Sequence, residues 1–442
     1  MFETPVSRLD LLYAITDQKT LAIDRWAENT GDKAEVSGHF YSDKAPGTAT
    51  VALAPFAAAR LGLRVAGGDV DSQDAWRALS WITCFAALGV PAALGMMALF
   101  AWLRKHVPQR VALVTVLALA VGGMTLPHAT ALWSHALVIG LVSLAVWALE
   151  VFGGPTGKRR TALAGFCLGL AVASEYTAGL VGMSLAVYAL LWRKGHRVAF
   201  LAAAIPPLLL IPLYSWATVG TPFSLPYSYT ASYPAMRQGI YAIKWPDIGT
   251  MGKLLFSSQR GLFFWSPFLL MAIVGWWQVA ETKPRALWLT YSVPMVMVIV
   301  ISGRTWDWEA GQCLGPRYLA PILPLLALPC AFGVERFKRV GVALAAVSII
   351  LTTLATLTNA VPPKWYENPL VQLHWRRLIE GRFSPNLGIM WGLPPYASVA
   401  LFYLILALGI WWVWRQARRL DAARPVANHA ASSAEPPGEL PP

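Results

Sequence analysis

The chain has 442 residues, of which 56% are hydrophobic and only 13% charged, with a mean hydropathy of +0.50. Soluble domains carry about 45–50% apolar and about 25% charged residues, so this composition excludes a soluble globular enzyme. In a soluble protein, a net charge of +13 would suggest that the partner is a nucleic acid. In a membrane protein, basic loops on one side of the bilayer explain such an excess, so we expect membrane lipids and no nucleic acid as partners.

Apolar runs predict an all-α polytopic membrane protein. A spanning helix needs roughly 17–25 mostly apolar residues. The run 161–192 is split by Glu175, Tyr176 and Thr177, which predicts two helices joined by a tight turn. With that division, about eleven transmembrane helices are predicted, at 76–103, 111–126, 134–152, 161–174, 178–192, 198–217, 262–280, 286–302, 318–334, 340–360 and 396–414.

The basic residues predict the orientation of these helices. Alternate connections, together with the C-terminal tail, are about three times denser in Lys and Arg than the other connections. Basic loops stay in the cytoplasm. We therefore expect the C-terminus on the cytoplasmic side of the inner membrane. The long connections 218–261, 303–317 and 361–395 then lie outside, around a transmembrane bundle at 76–414.

Residues 1–75 are predicted to form a large extracytoplasmic loop. Residues 47–64 are apolar but short, which favours an amphipathic helix lying along the outer interface. With eleven spans and an internal C-terminus the polar head must be outside, so we expect related chains to carry one more helix upstream. The tail 415–442 is rich in Ala, Pro and Ser and is expected to be disordered in the cytoplasm.

Two motifs in the first loop carry a resemblance. Asp10-Leu11-Leu12-Tyr13-Ala14 is followed, about thirty residues on, by Tyr41-Ser42-Asp43-Lys44-Ala45-Pro46. Their order resembles the first outer loop of the GT-C glycosyltransferases, in the group of the protein O-mannosyltransferases and the lipid A aminoarabinose transferases. The motif Arg317-Tyr318-Leu319-Ala320-Pro321 is similar to a helix start common in that group.

The chain also departs from the group's pattern. The family's Asp-Glu pair is Asp10-Leu11 here, so the second carboxylate is absent. Many members carry an acidic residue in the second outer loop, where this chain has only His128 and His135. No cofactor is assigned, and a divalent metal stays possible.

The resemblance implies a glycosyltransferase that takes a sugar from a polyprenyl-phosphate-linked donor outside the membrane, with inversion. A carboxylate accepts the proton of the acceptor hydroxyl, and Asp10 would be that base. Lys44 and Arg317 would hold the leaving phosphate. The acceptor is a lipid, a glycan or a protein. The substrate-binding residues expected from the motifs and from the outer loops are Tyr13, Tyr41, Asp43, Lys44, His135, Glu175 and Arg317.

Each of these residues also has a structural interpretation. Asp10 suits a helix cap, whereas Lys44 and Arg317 suit anchors to lipid headgroups. Glu175 lies at membrane depth, where ionisable residues usually mark functional sites, or it sits at the wet end of a hairpin. The alternating Trp306-Asp307-Trp308-Glu309 suits a sugar platform or an interfacial belt.

A different function class remains open from the sequence. A polytopic transporter or a flippase for lipid-linked saccharides would have the same composition and topology. Such proteins typically show paired, Gly- or Pro-broken helices in two halves. Pro206-Pro207 interrupts one span, and we find no counterpart in another span.

Overall fold

The computed structural model describes residues 3–237 and 243–422, and these residues form a helical bundle. The helices of nine residues or more are α1 Glu3–Tyr13, α2 Gly47–Val65, α3 Gln73–Leu103, α4 Gln109–Val121, α5 Ser134–Ala148, α6 Lys158–Ser174, α7 Gly179–Trp192, α8 Arg197–Val219, α9 Ile248–Phe256, α10 Met271–Thr282, α11 Pro284–Ser302, α12 Arg317–Arg336, α13 Lys338–Asn359 and α14 Pro395–Ala422.

Each predicted apolar run falls on helix, which confirms the all-α polytopic class. Among the described residues, six helices are long and apolar enough to cross a membrane: α3, α8, α11, α12, α13 and α14. Three further apolar helices, α4, α5 and α7, are shorter. At 1.5 Å per residue, the 13 residues of α4 extend only about 20 Å. The predicted count of eleven spans therefore stays a prediction.

The predicted hairpin around Glu175 is present. Helix α6 ends at Ser174, a short 3₁₀ turn covers Tyr176–Ala178, and α7 follows at once. By contrast, the run 262–280 is not one helix. Pro267 interrupts it, so Leu262–Trp265 and α10 are separated by the 3₁₀ turn Pro267–Leu270.

Residues 3–75 form an ordered unit against the bundle. Helix α1 leads to a two-stranded antiparallel hairpin, β1 Lys33–Val36 and β2 His39–Ser42. Helix α2 covers almost the stretch predicted to be an amphipathic helix. The hydroxyl of Ser7 bonds to the carbonyl of Asp32 at 2.6 Å and to Ser42 at 2.7 Å, so α1 is fixed to both strands.

Close helix pairs in the bundle depend on glycine. A Cβ on Gly165 would lie 2.1 Å from the carbonyl oxygen of Phe200, and one on Gly169 would lie 2.5 Å from that of Ala204. The two glycines are four residues apart and share one face of α6, as in the small-residue interfaces of membrane helices. The backbones of α6 and α8 can therefore touch only because both residues are glycine.

The C-terminal helix is longer than the predicted span. Helix α14 extends to Ala422, so the tail predicted to be disordered begins as helix at 415–422. The side chain of Asp421 accepts hydrogen bonds from the backbone of Gln109 at 2.8 Å and Arg110 at 3.2 Å, which fixes this end to α4. The predicted disorder of 423–442 concerns residues outside those described.

Candidate functional site

A polar cavity of about 220 Å³ opens at the end of the bundle where α1, the hairpin and three connections meet. Its wall is a mixture of carboxylates, cations and aromatic rings. The lining residues are Glu3, Thr4, Arg8, Asp32, Lys44, Trp133, Ser134, His135, Glu175, Tyr227, Tyr233, Met236, Trp306, Asp307, Glu309, Gly311, Gln312, Arg317, Tyr318 and Lys364.

Local packing explains how distant parts of the chain reach this cavity. Gly47 follows the Lys44 motif at the start of α2, and a Cβ there would lie 2.6 Å from the backbone of Ala173 and 2.7 Å from that of Ser174. Only glycine allows α2 to start this close to the end of α6. Lys44 and Glu175 are thereby brought to the same wall.

Lys44 is buried between two carboxylates. Its Nζ atom lies 3.0 Å from Asp32 Oδ2 and 3.0 Å from Asp43 Oδ1, and 4.7 Å from the centre of the Tyr227 ring. Burial opposes the charged amine, but Asp32 and Asp43 outweigh it and hold the pKa of Lys44 well above its ordinary value. Lys44 is therefore charged and already neutralised by the protein.

The two carboxylates differ in their protonation. Burial favours the neutral form of both. For Asp32, Lys44 and the hydroxyl of Thr4 outweigh burial and lower the pKa. For Asp43, burial and the charge of Asp32 prevail and raise the pKa to about 7. Asp43 does not line the cavity and supports Lys44 from behind.

Two guanidinium groups at the cavity, those of Arg8 and Arg317, have no carboxylate partner in the part of the chain that the structure describes. Arg8 is 2% exposed and donates one hydrogen bond, from Nη1 to the carbonyl of Leu132 at 3.1 Å. The guanidinium of Arg317 lies over the Trp133 ring, 4.4 Å from its centre. Within residues 3–237 and 243–421, neither group forms an ion pair with a carboxylate. A buried cation without a counter-ion is costly, and an anion in the cavity would remove that cost.

Ser134, His135 and Glu175 form a connected polar group in the cavity wall. The Ser134 hydroxyl donates to Glu175 Oε2 at 2.7 Å, and His135 Nδ1 lies 3.7 Å from the same oxygen. The His135 ring stacks with Trp133, their centres 6.2 Å apart. The hairpin between α6 and α7 thus places Glu175 against the first turn of α5.

The Trp-Asp-Trp-Glu segment contributes three of its four residues. Trp306, Asp307 and Glu309 line the cavity, whereas Trp308 is buried. Arg304 fixes Asp307, with its Nη2 atom 3.0 Å from Asp307 Oδ2. One indole and two carboxylates of the predicted platform therefore reach the cavity.

Glu3 is a carboxylate at the cavity with an altered affinity for protons. Its Oε2 atom accepts a hydrogen bond from the Tyr233 hydroxyl. Burial, and secondly the charge of Asp32, raise the pKa of Glu3 above its ordinary value. Among the lining carboxylates, Glu3 thus holds a proton more readily than Asp32 does.

Of the predicted site residues, Lys44, His135, Glu175 and Arg317 line one cavity, and Asp10 does not. Asp10 is 2% exposed, accepts a hydrogen bond from Asn29 at 3.3 Å, and has a pKa raised to about 7, mainly by burial. Asp10 therefore lies outside the lining of this cavity, and its role as the base stays a prediction. Helical residues turn by about 100° each, so Asp10 points about 200° away from Arg8.

Tyr13 and Tyr41 also lie away from the cavity lining. The Tyr13 ring packs between Trp26 and Phe56, at 5.8 Å and 5.0 Å between centres. Tyr41 is paired with Ala34 inside the hairpin. Both tyrosines therefore have structural roles in the N-terminal unit.

Sequence reasoning missed Glu3, Arg8 and Tyr227. The signal for Arg8 is its spacing, since it comes four residues after Thr4. This spacing puts Thr4 and Arg8 on one helical face. Glu3 and Arg8 of this helix line the cavity, whereas Asp10 does not.

The described residues contain no group of three or more His, Cys, Asp or Glu side chains placed to hold a metal ion. The four cysteines are buried and free, as expected for packing residues.

Comparison with known proteins gives two solved structures. No family model and no curated protein matches the chain. The crystal structure of ArnT from Cupriavidus metallidurans in the apo state is 14% identical, with a TM-score of 0.45, and the match covers 94% of this chain and 67% of that one. The structure of the same protein bound to undecaprenyl phosphate is 16% identical, with a TM-score of 0.42, and the match covers 94% and 72%.

ArnT is a lipid A aminoarabinose transferase of the GT-C superfamily, which is the group that the sequence motifs resemble. At these identities and TM-scores the likeness supports no conclusion about this chain's activity.

Proposed function

We propose that the chain is an integral-membrane glycosyltransferase whose cavity takes a sugar linked to a polyprenyl phosphate. The observation that carries this proposal is the pair Arg8 and Arg317, two guanidiniums at one cavity that form no ion pair with a carboxylate of the described residues. Guanidinium groups bind phosphate oxygens through two parallel hydrogen bonds. A lipid-linked phosphate is an anion that a membrane enzyme meets at this depth.

Lys44 has a supporting role in this proposal. Because Asp32 and Asp43 already neutralise its charge, Lys44 adds less attraction for a phosphate than Arg8 and Arg317 do. Its ion pair with Asp32 joins the two ends of the hairpin and holds the Asp32 carboxylate at the cavity.

The transfer step replaces one C–O bond by another. The oxygen of an acceptor hydroxyl attacks the anomeric carbon from the side opposite the phosphate, while the bond from that carbon to the phosphate oxygen breaks. The bonding electrons leave with the polyprenyl phosphate, whose growing negative charge is stabilised by Arg8 and Arg317. The configuration at the anomeric carbon is inverted.

Glu3 is the base in this scheme. The acceptor proton passes to its carboxylate, and the raised pKa of Glu3 makes it a better proton acceptor than Asp32. A positioned base typically contributes about 10²–10⁴-fold to the rate. Trp306 and Tyr227 line the cavity, and aromatic rings suit the apolar side of a pyranose.

We infer that the reaction takes place outside the cytoplasmic membrane. The cavity is built from the N-terminal unit, residues 3–75, and from the connections 218–261, 303–317 and 361–395, which carry the low density of basic residues expected of outer loops. The acceptor there is a lipid, a glycan or a protein that bears a hydroxyl group.

The experiment is a transfer assay in membranes with radiolabelled polyprenyl-phosphate sugars. Glu3→Gln is expected to lower label transfer by about 10²–10⁴-fold. Asp10→Asn and the matched surface variant Glu28→Gln, whose carboxylate is 97% exposed, are expected to retain transfer. Full activity of Glu3→Gln would reject Glu3 as the base, and wild-type protein that moves intact lipid-linked sugar without transfer would favour the flippase.

A further inference from the structure

A second, apolar groove lies between α13 and α14. It has a volume of about 180 Å³, larger than the roughly 150 Å³ apolar cavity that holds one benzene molecule. Leu354 and Leu357 form one wall and Val399 and Tyr403 the other. The Tyr403 hydroxyl is bonded to Thr353 at 2.9 Å, so the polar atom at the base of the groove is satisfied and the remaining surface is hydrocarbon.

The groove opens towards the membrane. Helix α14 is exposed along its length, with Leu404 55%, Ile405 62% and Leu408 55% accessible. Side chains of this kind face the hydrocarbon of a bilayer, where no water is present to fill a gap between two helices. An apolar groove in that position suits a hydrocarbon chain.

A short helical segment, residues 370–379, closes one end of the groove. Trp375 and Leu378 of this segment line the groove. Val371, Trp375 and Ile379 are 59%, 56% and 65% exposed and are spaced by four residues, so they share one face of the segment. A helix with such a face lies in the interface between headgroups and acyl chains.

The same segment carries an excess of positive charge. Arg376 and Arg382 share one carboxylate, that of Glu380, at 2.9 Å and 3.4 Å. Arg377 donates from Nε to the carbonyl of Arg382 at 3.2 Å and has no ion pair among the described residues. Three guanidiniums therefore face one carboxylate at the headgroup end of an apolar groove.

We propose that this groove and its basic rim bind an anionic phospholipid, with one acyl chain between α13 and α14 and the phosphate at Arg376, Arg377 and Arg382. The apolar walls supply affinity for the chain, and the net positive rim selects an anionic headgroup over a zwitterionic one. The site shares no lining residue with the polar cavity, so it is independent of the proposed transfer reaction.

Native mass spectrometry of the full chain in detergent tests the headgroup. The protein is titrated with phosphatidylglycerol and, separately, with phosphatidylcholine of the same acyl chains. Wild type is expected to bind phosphatidylglycerol more tightly. The double variant Arg377→Gln/Arg382→Gln is expected to lose about fivefold in affinity for each charge removed, with phosphatidylcholine unaffected. Arg25→Gln, at an exposed arginine outside the groove, is the matched control and keeps the preference.

A second variant tests the acyl chain. Val399→Phe fills the groove and is expected to weaken binding of both lipids, whereas Leu408→Phe, on the exposed part of α14, leaves it unchanged. Equal binding of the two lipids by wild type, or unchanged phosphatidylglycerol binding in both groove and rim variants, overturns the proposal. Displacement of phosphatidylglycerol by equimolar undecaprenyl phosphate also overturns it, since the groove would then serve the carrier lipid.

Discussion

At the scale of single residues, Asp10 links burial to the dependence of stability on pH. Its pKa is raised to about 7, whereas an ordinary aspartate has a pKa near 3.8. The folded protein therefore holds the proton more tightly than the unfolded chain does. The stabilisation that results is complete below the unfolded pKa and is lost as the pH rises through about 7.

We therefore expect Asp10→Asn to reduce the dependence of the melting temperature on pH. An asparagine is neutral at every pH. From pH 5 to pH 8, the free energy of unfolding of the variant should therefore rise relative to that of wild type. The rise is on the order of 1 kcal/mol per pH unit below the folded pKa. Thermal denaturation in detergent measures this. Asp74→Asn, at a carboxylate 91% exposed, is the control, and parallel curves for Asp10→Asn and wild type would contradict the assignment.

If Glu3 is the base, activity increases with pH, whereas the stabilisation from Asp10 decreases with pH. Glu3 accepts a proton only when it is ionised, and its pKa is raised. Transfer is therefore expected to increase with pH through a pKa above that of an ordinary glutamate. The pH profile of kcat/KM in the free enzyme measures this pKa, and a rate that falls over that range would contradict the role of Glu3.

The site was partly predictable at this scale. Lys44, Glu175 and Arg317 were expected in outer loops, and loops on one side of a bilayer meet at one end of the bundle. A motif gives a residue's place in the chain and not what its side chain contacts. Glu3 lies about two turns before Asp10 and Arg8 lies two residues before it, yet both line the cavity, whereas Asp10 bonds to Asn29.

At the scale of elements, the interface between α6 and α8 depends on two glycines. Gly169→Val is expected to separate the helices, because its side chain would meet the backbone of Ala204, and overpacking of this kind costs typically about 1–3 kcal/mol or more. The variant should lose monodisperse protein in size-exclusion chromatography and melt at a lower temperature.

Gly409→Ala is the matched control for that experiment. Gly409 also lies in a membrane helix, and a Cβ there meets nothing within 4 Å. Because alanine favours helix over glycine, this variant should be at least as stable as wild type. Equal behaviour of the two variants would contradict close packing at Gly169.

Elements were the most predictable part of the molecule. Runs of apolar residues locate helices because the bilayer requires every backbone group to be bonded within its segment. Hydropathy predicts one helix over 262–280 because it does not depend on the backbone N–H, which Pro267 lacks. The end of α14 was missed because Asp421, which bonds to α4, is polar and carries no apolar signal.

At the scale of the whole molecule, the orientation in the membrane remains a prediction. We expect the cavity loops outside and the loop around 281–285 in the cytoplasm. The variants Glu28→Cys and Thr282→Cys, each with one added cysteine, test this in intact cells. The four native cysteines are buried, so they are not expected to react. A membrane-impermeant maleimide should label the first variant and not the second, and the reverse pattern would invert the topology.

The central claim is that the polar cavity recognises the phosphate of a polyprenyl lipid, and binding to the purified chain tests it most directly. Undecaprenyl phosphate is expected to bind at least about tenfold more tightly than undecaprenol, since hydrogen bonds to a charged group contribute about 1.5–3 kcal/mol. Arg317→Gln should remove most of this preference, and Arg25→Gln should keep it. Equal affinity of wild type for the phosphate and the alcohol would contradict the account.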